Sequence, residues 1–301
     1  MFLYITASRG LFRYNLKTNK LTNIISNWHK GLFNRPSKGF FGLCCDIKKN
    51  QLVAVSRENL NPKLQYDKST GVIVHILNRN NLKLLTKIKI ESLFDVHQIS
   101  YFNDNLFLTE TGKNRIQVLN LKKKIVDKYI NVGNIREDVN HINAINVDKN
   151  YIFIGLNNGH KKNIHKNSQL IKIDQNKLNL INDIDIDAHG IGSLINLENV
   201  FHTHDIEKFN DDYLISSSYI GKIYSLNTNS FLKDLKPWTR GIAVSQNNIF
   251  IGKSGIGKRK FRHSRYYDGE IFILEKNNLN FVRKFKIKGI GQLNDILYSE
   301  D

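Results

Sequence analysis

The sequence predicts an all-β chain folded as a six-bladed β-propeller with four-stranded blades, a single domain over residues 1–301. Three observations lead to that class. An isoleucine recurs in similar surroundings at Ile47, Ile99, Ile145, Ile206, Ile242 and Ile296, as CCDI, HQIS, NAIN, HDIE, RGIA and NDIL. The mean spacing is roughly 50 residues, the length of one blade. Between the repeats run short alternating apolar segments punctuated by Asn, Asp, Lys and Gly, the pattern of hairpins.

The elements follow in order. Five of the isoleucines lead through a polar turn (KKNQ, FNDN, DKN, FNDD, SQNN) into a second strand read as LVAVS, LFLTE, IFIGL, LISSS or IFIGK. A third strand comes next, as GVIVHIL, RIQVLNL, QLIKID, KIYSL or EIFIL, and then a weaker fourth. The sixth blade is divided between the termini. LNDIL supplies its inner strand, and LYITAS, GLFRYNL and the stretch Leu21 to Ile25 supply the other three. Closing the ring in this way removes free sheet edges and holds both ends of the chain.

Hydrophobic residues make up 41% and charged residues 24%, enough apolar content for a substantial core. No apolar run approaches the ~18 residues of a membrane span, and the chain opens on alternating strands instead of a leader. Cys44 and Cys45 are adjacent and provide no long-range disulfide framework, which points to a cytoplasmic protein. The net charge of +18 is spread over lysine-rich turns, so general surface charge explains it better than a nucleic-acid stripe.

Antiparallel strand order sorts the loops by face. The one-to-two and three-to-four turns are short. The two-to-three and blade-to-blade connections carry long segments at 26–40, 57–70, 157–168, 187–200 and 253–269. Inner strands enter from that decorated face, so positions two before each isoleucine ring the channel mouth: Cys45, His97, Asn143, His204, Arg240 and Asn294. Four before it stand Leu43, Asp95, His141, His202, Trp238 and Gln292, with Asp46, Gln98, Asp205 and Asp295 in between.

Four of the chain's ten histidines fall in this zone. His97, His141, His202 and His204 are candidate ligands for a divalent metal, with Zn, Mn and Ca not distinguished. Alternatively, His97, His141 or His204 moves a proton and Arg240 holds an anion. Asn143, Gln98, Asp205, Trp238 and Asn294 complete the expected ligand-binding set. The aspartates at the repeat positions Asp46, Asp205 and Asp295 fit a second role, bonding the backbone of an adjacent blade.

Rim loops add charge. Arg259 and Arg262 lie in a basic run with Phe261, Tyr266 and Tyr267 interleaved, able to grip an anion, while His160, Lys161, Lys162 and His165 stand on the same face. GKSGIGKRK is not a phosphate loop, because Arg259 stands where GxxxxGK[ST] needs a hydroxyl.

The segments FDVHQI, HINAINV, FHTHDIEKFNDDYLISSSYIGKIYSL, PWTRGIAVSQNNIFIGKSGIGKRKF and GIGQLNDIL resemble the successive blade motifs of an uncharacterised bacterial six-bladed propeller family. That family carries DIHDI-, HLNGL-, PHSPR- and RGLAF-like signatures; FHTHDI departs from PHSPR in lacking the Pro and Arg. The resemblance covers roughly residues 90 to 301 and implies weight for His97, His141, His202 and Arg240 without implying a reaction. More distantly the chain is similar to sugar-lactone hydrolases, whose metal sits in the same mouth on acid and amide ligands that this histidine ring does not reproduce.

The expected function is an enzyme acting on a small acidic or carbohydrate-like metabolite, by metal-assisted hydrolysis or by His-assisted elimination or isomerisation. The competing expectation is a non-catalytic propeller that binds a protein, glycan or nucleic acid through its basic face.

Overall fold

In a computed structural model the described residues are 1–26, 39–57, 71–93, 95–133, 140–157, 166–178, 183–185, 192–255 and 264–300. They form six sheets, each built on four antiparallel strands that begin with an inner strand at the channel. Blade 1 comprises β4 (Gly39–Asp46), β5 (Gln51–Arg57), β6 (Val72–Asn78) and β7 (Leu84–Ile90). Blade 2 comprises β8 (Ile99–Phe102), β9 (Asn105–Glu110), β10 (Arg115–Asn120) and β11 (Ile125–Asn131). Blade 3 comprises β12 (Ile142–Val147), β13 (Tyr151–Leu156), β14 (Gln169–Asp174) and β16 (Gly192–Asn196).

Blade 4 comprises β17 (Thr203–Phe209), β18 (Asp212–Ser217), β19 (Lys222–Ser225) and β20 (Ser230–Asp234). Blade 5 comprises β21 (Thr239–Val244), β22 (Asn248–Ser254), β23 (Gly269–Glu275) and β24 (Phe281–Ile287). Blade 6 joins the termini as expected: β25 (Leu293–Ser299) pairs with β1 (Phe2–Ala7), followed by β2 (Gly10–Asn15) and β3 (Leu21–Ser26).

Apolar faces of neighbouring blades pack against each other in clusters that span the junctions. One joins Phe107, Ile116 and Val118 of blade 2 to Ile145, Ile152 and Ile154 of blade 3. Another joins Leu3, Ile5 and Phe12 of blade 6 to Phe250 and Ile271 of blade 5. No blade can bury its apolar surface alone, so closure of the ring supplies the core.

Two expectations are corrected. The segment 187–200, read as a long loop, contains β16, the outer strand of blade 3. The connection that precedes it also lays a short strand, β15 (Asp183–Asp185), parallel to β11, so blade 2 has five strands. The second correction concerns blade 1. Ile47 is 71% exposed in the turn after β4, and Leu43 holds the position taken by an isoleucine in the other five blades. The proof is a repeated bond: Asp295 accepts from the Leu43 N–H just as Asp205 accepts from Ile242 and Gln98 from Ile145. CCDI resembles HDIE and NDIL by chance of composition; FGL, with glycine before the apolar residue as in RGI, is the true counterpart.

Candidate functional site

With blade 1 re-registered, the mouth is ringed by Phe41, His97, Asn143, His204, Arg240 and Asn294, one from each blade. Phe41 thus takes the place expected for Cys45, which lies further down β4 and whose thiol pKa is raised, chiefly by burial. In five of the six blades a backbone irregularity accompanies these side chains. Strand pairing slips between Phe40 and Leu43, Ile142 and Ala144, Thr203 and Ile206, and Thr239 and Ile242, and likewise opposite Asp295 and Leu293. Such bulges turn a side chain out of strict alternation.

The residues two positions earlier are held in a left-handed backbone in four consecutive blades: Asp95 (φ 55°), His141 (φ 49°), His202 (φ 55°) and Trp238 (φ 73°). Such a conformation costs a non-glycine residue about 1–2 kcal/mol, an expense met by surrounding structure and concentrated at functional sites.

Beneath the ring lies a belt with three-fold rhythm. Gln98, Asp205 and Asp295 alternate with Gly42, Ala144 and Gly241 at the same repeat position. Each long side chain bonds the backbone N–H of the next blade: Gln98 Oε1 to Ile145 at 2.8 Å, Asp295 Oδ2 to Leu43 at 3.0 Å, and Asp205 to Ile242. Gln98 also donates to Asp205 across the intervening blade. Small neighbours are required: a Cβ on Gly42 would stand 2.6 Å from Ile99.

Burial raises the Asp205 carboxyl pKa to about 7 and raises that of Asp295 well above the usual range, with the Asp205 charge adding to the latter. Gln98 and Asp205, expected as ligand-binding groups, are thus committed to the belt. Asp46, read as a third such aspartate, instead accepts from Tyr101 Oη at 2.6 Å further down the channel.

Every junction at the mouth is pinned by a side chain bonded to the next inner strand. Thr6 reaches Phe41 O (2.6 Å), Thr111 reaches Ile142 O (2.5 Å), Ser216 reaches Thr239 O (3.1 Å) and Ser254 reaches Leu293 O (2.6 Å). Ser168 accepts from Thr203 N at 3.4 Å. Between blades 1 and 2 an arginine does the work: Arg57 Nε donates to Val96 O at 2.8 Å. Its guanidinium lies 3.7 Å above the Phe41 ring and 3.4 Å from Asp95. Sequence reasoning missed both Phe41 and Arg57. The signal for Arg57 was an arginine ending the second strand of its blade, as Ser217 and Ser254 end those of blades 4 and 5.

The histidines meet as an arc. The His97 ring is 5.8 Å from His141, 6.1 Å from His204 and 6.0 Å from Phe41, all edge to face. His202 continues the arc to Tyr219 at 5.7 Å, and Tyr219 to Trp238 at 6.0 Å. Asn294 donates to Phe40 O at 2.7 Å, and with its amide turned to suit, Gln292 accepts from both terminal nitrogens of Arg240. Asn143 is fully buried, and its Oδ1 has no hydrogen-bond partner.

Desolvation holds His97 and His204 well below the ordinary imidazole pKa; Arg57 adds to this at His97 and Arg240 at His204. His202 is lowered to about 4, again mainly by burial, then by His141 and Arg240. These three rings are neutral at pH 7. His204 is also oriented: its Nδ1 lies 2.9 Å from His202 O and Nε2 lies 3.5 Å from Asn143 Nδ2.

The expected four-histidine metal site is not assembled. The His202 and His204 rings are nearly parallel (11°), side by side at 6.4 Å, and Nδ1 of His204 is turned to a carbonyl. Among the described residues no group of three His, Cys, Asp or Glu side chains converges to hold a metal. Arg259, Arg262, His160, Lys161, Lys162 and His165 lie outside the described residues.

A cavity of about 10 Å³, near the size needed for one water, opens between Phe41, His97, His204, Arg240 and Asn294, with Gln98 and Asp295 as its floor. Larger hollows of about 210 and about 300 Å³ lie elsewhere. Their polar groups serve local structure, as Asn120 does in capping its turn and Lys253 in pairing with Glu270.

No protein-family model and no curated protein matches the chain. A chain in the crystal structure of a nidogen/laminin complex is similar at a TM-score of 0.64, with 10% identity over 98% of this chain and 97% of that one. The fold is that of a six-bladed β-propeller. No helix among the described residues is long and apolar enough to cross a membrane.

Proposed function

We propose that the mouth is an acid–base site for a small acidic or carbohydrate-like metabolite. The observation that carries this reading is the fixed tautomer of His204. A carbonyl accepts the bond at Nδ1, so Nδ1 carries the proton and Nε2, 3.5 Å from Asn143 Nδ2, is the basic nitrogen of a ring that lines the cavity with Arg240. Arg240, 6% exposed, would bind the ligand's carboxylate and stabilise the enolate-like charge formed when a neighbouring C–H is deprotonated. Nε2 of His204 takes that proton. The imidazolium so formed gives the proton back, to the neighbouring carbon in an isomerisation or to the leaving group in an elimination, so His204 ends neutral, with His97 and Phe41 bounding the same cavity.

Metal-assisted hydrolysis is not carried forward, since the histidine nitrogens do not converge. The likeness to the bacterial propeller family supports the blade positions of His97, His141, His202 and Arg240 and supplies no reaction. Free Cys44 and Cys45 suit a cytoplasmic setting.

The test is solvent exchange. Untagged protein is incubated in D2O with a panel of hydroxy acids and sugar acids, and deuterium at the carbon beside the carboxylate is followed by NMR. Exchange is expected with the wild type and is expected to fall about a hundredfold or more in His204→Gln. Exchange that survives in His204→Gln would remove its role as base. Binding without exchange for any acid would favour the non-catalytic propeller, and activity lost to a chelator would restore the metal reading.

A further inference from the structure

The cavity lined by Arg240 and His204 measures about 10 Å³, room for a single ligand atom, so a ligand whose carboxylate oxygen enters it keeps the rest of its body on the rim. Among the described residues, the rim beside blades 4 and 5 carries two half-buried aromatic side chains, Tyr219 and Trp238. Their ring planes meet at 87° with centroids 6.0 Å apart. Tyr219 also lies 5.7 Å from the half-buried ring of His202, and Trp238 stands two residues before Arg240. Proton transfer at the mouth uses neither ring. We propose that Tyr219 and Trp238 form a shelf for a sugar ring, so that the ligand of the mouth is a cyclic sugar acid of the uronate type with its carboxylate at Arg240. The inference rests on the acid–base reading above and narrows its substrate class.

The shelf is held by backbone bonds. Tyr219 belongs to the short turn 218–221 between β18 and β19, which is clamped between the entries to two inner strands. On one side the Ser218 N–H donates to His202 O at 3.2 Å and the Tyr219 N–H to Phe201 O at 3.4 Å. On the other the Trp238 N–H donates to Ser218 O at 2.6 Å and the Leu235 N–H to Gly221 O at 2.8 Å. The approach is so close that a Cβ on Gly221, at φ 72°, would stand 1.8 Å from Lys236 O. Lys236 (φ 75°) and Trp238 (φ 73°) adopt left-handed backbones there, strain of the kind that gathers at ligand clamps. Rings fixed in advance lose little freedom when a ligand arrives. Two rings at right angles make a corner, where a parallel pair would make a slot for a flat aromatic. A corner suits a puckered sugar ring, whose C–H bonds on one face meet the negative face of an aromatic ring while its hydroxyls reach water and the His202 imidazole. In a cyclic uronate the carbon beside the carboxylate is itself a ring atom. A ring on the shelf with its carboxylate at Arg240 therefore keeps the C–H to be broken next to the cavity.

The test is calorimetry with four probes: glucuronate, lactate as an acid without a ring, glucose as a ring without an acid, and benzoate as a flat ring with one. Glucuronate is expected to bind the wild type about tenfold or more tightly than each of the others. Trp28→Phe leaves Trp238 as the one tryptophan of the chain, and its fluorescence is expected to respond to saturating glucuronate. Tyr219→Leu and Trp238→Leu, each checked for a native melt, are expected to lose the preference for glucuronate over lactate, and Tyr219→Phe, which keeps the ring, to retain it. The wild-type comparison and the Trp238 signal stand whether or not the leucine variants fold. Equal affinity for glucuronate and lactate, or a Trp238 spectrum unmoved by bound glucuronate, would overturn the shelf while leaving the mouth an acid site. Benzoate bound more tightly than glucuronate would overturn the sugar class. No binding of any of the three acids would remove the acid-binding reading of the mouth together with the shelf.

Discussion

At the scale of single residues, the mouth is defined by which charges are kept out. Burial first, and then Arg57, Arg240 and the neighbouring imidazoles, hold His97, His202 and His204 neutral. This has a measurable sign. An unfolded His202 takes its proton near the ordinary value of ~6.5, whereas the folded ring does so only at about 4. Between those values the unfolded chain binds more protons, so this residue makes stability rise with pH across that window and then level off. Asp205, raised to about 7, acts in the opposite sense over an overlapping window, so the wild-type profile is a net of both. His202→Gln is therefore expected to flatten the rise in unfolding free energy between about pH 4 and about pH 6.5 relative to wild type, in denaturant titrations. An unchanged difference across that range would show that His202 is solvated in the folded state.

At the scale of elements, the repeated inner strand carries the information, and one blade shows how it can mislead. The motif of an aspartate followed by isoleucine located the belt correctly at Asp205 and Asp295. In blade 1 the same two letters occur four residues too late, at Asp46 and Ile47, because strand β4 ends there. What the belt requires is physical: a long acceptor in one blade facing a small residue in the next. Gly42, Ala144 and Gly241 are those small residues, and reading them first would have placed Phe41 at the mouth. Gly241 also needs its left-handed backbone, φ 74°, and a Cβ there would stand 2.7 Å from Ile296 N and 3.1 Å from Asp295. Gly241→Ala is expected to destabilise the protein by at least about 1–2 kcal/mol, measured by chemical denaturation. A loss within error of zero would mean that blades 5 and 6 can separate at the belt without cost.

The histidines were legible because they differ from blade to blade while the scaffold repeats, so repetition could not account for them. Their arrangement was not legible. The edge-to-face contacts, the orientation of His204 and the neutralising environment depend on bulges and left-handed turns that no local pattern announces. Arg57 was hidden for a related reason: its role belongs to the junction between two blades, where it does what Thr6, Thr111, Ser168, Ser216 and Ser254 do at the other five.

At the scale of the whole molecule, ring closure joins these details. β25 and β1 pair the two ends of the chain, and the clusters between blades make each sheet depend on its neighbours. The same closure brings six inner strands to one axis, so residues from five of the six blades line one cavity. A polar belt crosses that axis below the mouth, and the proposed ligand site lies above it. The net charge of +18 gives the surface a positive field that salt screens.

Where a ligand binds tests the role of the mouth most directly. Crystals grown with a saturating mixture of hydroxy acids and sugar acids, or soaked in bromide, locate it by diffraction. The expected result is density in the mouth within hydrogen-bond reach of Arg240 and of Nε2 of His204, between His97 and His141. Ligand bound only at the outer rim, with the mouth holding solvent alone under saturating acid and bromide, would contradict the assignment.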